Sequence, residues 1–144
     1  MRLRLQRMLA CTLLAAASAC SSAAPQPAGG GAFPSDPYTT TTSDSGSLVV
    51  DVRTSPQPPG RGTNTVQLTV THASDGSPAD GLTVDVAPFM PAMDHGTSDT
   101  AVTPAGGGVY LVTGVYLYMP GTWELRTSIS GPMTDHAAPQ LTVE

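Results

Sequence analysis

The sequence predicts an all-β fold, a single antiparallel sandwich of about one hundred residues. Three observations carry this expectation. From Ser47 onward apolar and polar residues alternate with period two, as in Val66-Gln67-Leu68-Thr69-Val70. Gly, Pro, Asn and Asp interrupt the alternation at intervals of roughly 8–12 residues. No window carries the 3,4-spaced apolar stripe of a helix.

The expected strands are Leu48–Arg53, Thr65–His72, Leu82–Phe89, Thr100–Thr103, Val109–Tyr118, Thr122–Ile129 and Pro139–Val143. In the second, Val66, Leu68 and Val70 share one face, while Thr65, Gln67, Thr69 and Thr71 share the other. In the third, Val84 and Val86 stand between Thr83 and Asp85 in the same way. Asp75-Gly76 is a turn, and Gly106-Gly107-Gly108 reads as the hairpin turn ahead of the fifth strand. Pro120-Gly121 forms a tight turn that aims Trp123 inward, with Leu125 and Thr127 on the same face. Seven antiparallel strands with one wet face per sheet make an immunoglobulin-like β-sandwich.

Ahead of the domain the chain changes character twice. Residues 1–19 join three arginines, Arg2, Arg4 and Arg7, to a small-apolar run from Met8 to Ala19. That run is too short to span a bilayer, for which about 20 residues are needed, and it reads as an export signal. Ala17-Ser18-Ala19 satisfies an ordinary cleavage rule, whereas Cys20 directly after it resembles a bacterial lipobox that carries Ala17 where Leu is preferred. Lipidation is the favoured alternative, because Cys11 leaves with the signal and an unmodified Cys20 would be a lone thiol in an oxidising compartment. Residues 20–46 are then the lipidated cysteine and a Pro/Gly/Ser/Thr-rich linker poor in large aliphatic side chains. Residues 47–144 form the domain. Ser21 after the cysteine gives no inner-membrane retention residue of the Asp kind, so the resemblance implies a periplasm-facing protein, sorted to the outer membrane.

The whole chain carries a net charge of −5, but past the signal three arginines face eleven acids, leaving about −8. Such a chain repels phosphate, which excludes nucleic acid and anionic lipid surfaces as direct partners. No nucleophile elbow, His-Glu-x-x-His helix or phosphate-cradling Gly loop is present, and the aspartates lack the spacing of a calcium loop, so no enzyme is expected. The expected state is a monomer.

Soft and titratable side chains remain. Met90-Pro91-Ala92-Met93-Asp94-His95-Gly96 places two thioethers and an imidazole within six residues, and Met119 follows the fifth expected strand. These donors suit Cu(I), and thioether sulfur does not compete for protons. Strand parity puts Met90, Met93, His95 and Met119 at one end of the sandwich, and His72, Met133 and His136 at the other. The Met loop has an equally simple reading as packing, since methionine commonly fills gaps in cores. His72 reads as a surface histidine, and Met133 and His136 as loop residues.

The Met90–Gly96 stretch, followed by Gly108-Val109-Tyr110 and Met119-Pro120-Gly121-Thr122-Trp123-Glu124-Leu125, resembles the YtkA-like domain family, which is related to FixH. The resemblance covers roughly Leu82 to Ile129 and departs at Asp94, where Gly is expected. It implies a small exported or membrane-tethered β-sandwich, associated with copper handling and with the assembly of respiratory oxidases. Two expectations follow. One is a copper-binding or copper-transfer module with Met90, Met93, His95 and Met119 as ligands and a membrane or copper-handling protein as partner. The other is an interaction module without metal that docks on a membrane protein.

Overall fold

The computed structural model describes residues 32–144; the expected export signal, Cys20 and the first part of the linker lie outside the described residues. Alternation decides the architecture. In Leu48–Ser55 every second side chain is buried, and Leu48, Val50 and Val52 are fully so. The same rule holds along Gly121–Ser130, where Trp123, Leu125, Thr127 and Ile129 point inward. Strands that bury one face must pair that face with another, and here two antiparallel sheets close on a single core.

Ten strands build the sheets: β1 Thr39–Thr42, β2 Leu48–Ser55, β3 Gly62–His72, β4 Thr83–Met90, β5 His95–Gly96, β6 Ala101–Gly106, β7 Val109–Leu117, β8 Gly121–Ser130, β9 Asp135–Ala137 and β10 Gln140–Val143. One sheet has the order β1-β2-β3-β7-β6 and the other β10-β8-β4-β5, with β9 also on β8. β9 and β10 lie along the same edge of β8, one at Thr127–Ile129 and the other at Gly121–Glu124, and Leu125 donates to Pro139 between them. Among the described residues no helix is long and apolar enough to cross a membrane.

The sandwich is as expected, but seven strands become ten. β5 and β9 are two and three residues long, below the length at which alternation registers, and β1 is four threonines with no alternation to read. The linker also ends earlier than residue 46. Thr39–Thr42 pairs residue for residue with Val52–Val49; a Thr run is β-branched and fits a half-buried edge, although its composition reads as linker. Just ahead of it, the Tyr38 hydroxyl accepts from Thr142 N–H and donates to the Thr142 carbonyl, joining the edges of the two sheets.

The two ends of the sandwich differ in kind. β4 and β7 finish at one end, where β3 and β8 begin; His72, β9 and the β1–β2 turn lie at the other. That far end is tied by polar contacts. The Tyr110 hydroxyl donates to Ala79 at 2.8 Å and accepts from Leu82 N–H at 3.3 Å, and Gly108 N–H donates to Asp80 at 2.8 Å. Asp135, 4% exposed, accepts from the Ser45 hydroxyl at 2.5 Å and from the backbone N–H of Ser45 and His136. Burial pushes its pKa up, but the hydrogen bonds from Ser43, Ser45 and the two amides outweigh that and hold it at about 2.

Candidate functional site

The site is built where β4 runs out. Met90 ends the strand, Pro91–Met93 forms one 3-10 turn, and the chain returns as β5 so that His95 stands opposite Met90 and Gly96 opposite Phe89. Asp94 makes the reversal possible by taking a left-handed conformation at φ 51°, with its N–H bonded to the Pro91 carbonyl at 3.3 Å. Asp tolerates that region better than most side chains, so the residue departing from the family wording keeps a glycine-like backbone. Gly96 is required for a different reason. A Cβ there would collide with the Pro88 carbonyl oxygen of β4.

Directly opposed residues of an antiparallel pair project from the same face, with Cβ atoms about 4.5–5.5 Å apart. Met90 is 2% exposed and faces the core, so His95 is turned to the same side. The imidazole stacks on Tyr118, centroids 5.4 Å apart and planes within 10°. Tyr118 stacks in turn on Tyr116 at 6.1 Å and meets the edge of Trp123 at 5.2 Å. Trp123 is fully buried, as the turn at Pro120-Gly121 predicts, and its indole N–H donates to the Met119 carbonyl at 3.0 Å. His95 and Tyr118 thus roof the end of the core above Met90 and Trp123.

His95 Nε2 is buried in this arrangement and has no hydrogen-bond partner. A buried polar atom left unpaired costs about 1–3 kcal/mol, and such atoms call for an explanation in a bound group or a role. By register His95 and Met90 project from the same side of the β4–β5 pair, so an imidazole and a thioether donor share that face.

The four expected ligands are not equivalent. Met90 and His95 are adjacent by register. Met119 reaches the same end, partly buried against the core, at the turn where Trp123 is anchored. Met93 is 52% exposed on the outer lip. His72, Met133 and His136 belong to the far end, with His72 opposite Leu48 and His136 opposite Ser128; Met133 packs against the core. Among the described residues no three His, Cys, Asp or Glu side chains cluster as a metal site would require. The donor set at the β4–β5 end is therefore thioether sulfur with one imidazole, which suits a soft ion and not zinc or calcium.

Tyr116 and Tyr118 do not emerge from the sequence reading. Their signal was two tyrosines spaced by one residue at the end of a strand, the spacing that places both on one face. Arg61 adds a charge-bearing neighbour, donating to the Tyr118 carbonyl at 3.3 Å.

A family model described as YtkA-like matches residues 42–128, from the last residue of β1 through most of β8, and so takes in Met90, Met93, His95 and Met119. Neither the curated proteins nor the solved structures contain a match to the chain.

Proposed function

The chain belongs to the YtkA-like family, and from that premise we propose that it is an exported, membrane-tethered, non-enzymatic domain that binds Cu(I) as cargo at the β4–β5 end. Met90 and His95 are the inner ligands, Met93 the outer one on the lip, and Met119 completes the set. The observation that carries the reading is the buried, unpartnered Nε2 of His95 on the face it shares with Met90. Neutral thioethers hold Cu(I) without proton competition, and an exposed Met93 offers a receiving protein a ligand to exchange first. Lipidation of Cys20 supplies the tether, and the site faces the periplasm.

A second reading is favoured by different observations. Met90 is already a core side chain, and Met93 and Tyr116 are the large apolar residues left exposed among those described. A domain that docks on a membrane protein through exposed side chains such as these, with no metal, accounts for both. Titrating Cu(I) into the protein against a competing chelator separates the two readings, and Trp123, the chain's single tryptophan, reports from beside the site. Copper cargo requires saturable one-to-one binding that weakens at least tenfold, about 1.4 kcal/mol, in the Met93→Ala/His95→Ala double variant. A non-saturating response at micromolar or weaker affinity, unchanged in the double variant, sinks the copper reading and leaves the docking one. Membrane fractionation of Cys20→Ser tests the anchor.

A further inference from the structure

After β5 the chain leaves one sheet for the other. The Thr97 N–H still donates to the Pro88 carbonyl of β4 at 2.9 Å, but the next tie comes from a side chain, the Thr100 hydroxyl donating to the Val86 carbonyl. By Ala101 the chain is paired with Thr113 of β7. The crossover is held in place as it departs. Gly114 of β7, at φ 74°, lies so near the Asp99 carbonyl that a Cβ would collide with it. Where the crossover parts from β4 it leaves a cleft of about 220 Å³, whose lining includes Asp85 of β4, Ser98 and Thr100 of the crossover, and Arg126 and Ser128 of β8.

The register of β4 on β8 sets the chemistry of this cleft. Asp85 stands opposite Ser128 and Ala87 opposite Arg126, all on the outer face of the sheet. Asp85 and Arg126 are therefore diagonal neighbours, about 7–8 Å apart at the backbone, and they form no ion pair with each other. Arg126 is instead held from two other sides. Its guanidinium lies over the Phe89 ring, 3.4 Å from the centroid, and its Nε donates to Glu124 at 3.3 Å. Both Nη groups are left without an acceptor among the described residues, and a planar pair of N–H groups is what grips a carboxylate by both oxygens. Asp85, with no cation paired to it among the described residues, suits an ammonium. The Thr100 hydroxyl has committed its proton to Val86, so its oxygen can only accept. A molecule that carries both charges complements such a cleft. A net anion is opposed by the domain as a whole, in which three arginines face eleven acids; a zwitterion is not. The volume is below the ~300–1,000 Å³ of pockets that take drug-sized ligands, and Ala87 and Val102 add an apolar wall.

We propose that this cleft binds a free α-amino acid with a small side chain, its carboxylate on the Nη groups of Arg126 and its ammonium on Asp85 and the Thr100 oxygen. The cleft is bordered by outward-facing side chains of β4 and β8, whereas Met90 faces the core, so the proposal stands apart from the copper reading. The test is a titration of the full chain with L-alanine, followed by amide chemical shifts. Saturable shifts in the millimolar range or tighter are expected at residues 85–87, 98–102 and 126–128. Acetate and methylammonium, each offering one charge, should bind about tenfold or more weakly. Asp85→Asn, and Arg126→Lys, which keeps the charge but loses the fork, should each weaken L-alanine binding by about tenfold or more. Ser130→Ala, on the same face of β8 beyond the cleft, should bind as the parent does, and unchanged shifts elsewhere in every variant show that it is folded. No saturable shift, or shifts centred on other residues, overturns the site. Acetate binding as tightly as L-alanine, or parental affinity in Asp85→Asn, overturns the zwitterion. Parental affinity in Arg126→Lys overturns the two-pronged carboxylate contact.

Discussion

The carboxylate of Asp135 gives a pH dependence whose size and sign follow from the structure. Asp135 is buried in β9 and fixes the β1–β2 turn to the opposite sheet through Ser45 and the amides of Ser45 and His136. Its folded pKa of about 2 lies below the ordinary 3.8. A group depressed on folding stabilises the native state fully above its unfolded pKa, and that contribution fades as pH falls through the folded value. A carboxyl held at about 2 instead of 3.8 contributes about 2 kcal/mol, present at neutral pH and lost between about pH 4 and pH 2. Asp135→Asn keeps one acceptor oxygen but no charge, so the variant should lose about 1–2 kcal/mol at pH 7. Urea unfolding followed by Trp123 fluorescence measures it at a series of pH values, each midpoint multiplied by the common slope. The two stability curves should converge as pH drops toward 2. A difference that stays constant from pH 7 to pH 2.5 would show that the ionised form is not what the turn holds, and the reasoning would fail.

Three further outcomes are expected. Tyr110→Phe strands the Ala79 carbonyl and the Leu82 amide, both buried at the far end, and should cost about 1–3 kcal/mol in denaturant unfolding; a loss below a few tenths would mean that water takes the place of the hydroxyl. Gly96→Ala drives a methyl into the Pro88 carbonyl and should detach β5, seen as loss of amide exchange protection at His95 with β2 and β3 unaffected. Met90→Leu should leave stability within about 1.5 kcal/mol while Met90→Ala costs about 2–5, and both should weaken Cu(I) binding; if Leu retains full affinity, sulfur at position 90 is not a ligand.

The legible parts of this molecule are those where periodicity and burial coincide. Val66, Leu68 and Val70 are fully buried between half-exposed neighbours, and Trp123 lies in the core where the Pro-Gly turn aims it. Gly106, Gly107 and Gly108 all take positive φ in the expected hairpin. Expected strand ends were short where a strand continues past a turn-forming residue: β3 begins at Gly62 and β8 at Gly121, both at positive φ. β5 was hidden for another reason. Two residues held by one backbone pairing have no pattern of their own, and only the reversal at Asp94 makes them a strand. At the candidate site the end shared by Met90, His95 and Met119 follows from counting strands. The roof of Tyr118 over Trp123 does not, because ring stacking depends on where two sheets meet and no local spacing encodes that.

Tyr38 sets where the folding unit begins. A chain cut at residue 47, the composition boundary, or at residue 42, where the family match starts, would lose the only side chain that latches the β1 edge to β10 at Thr142 among the hydrogen bonds of the described residues. Without that clasp the site end of this flank is held by the shared core alone, and a cut at 47 also removes the Ser45 contacts to Asp135 that tie its far end. The contacts that join the two sheets therefore begin at Tyr38, inside what composition alone marks as spacer.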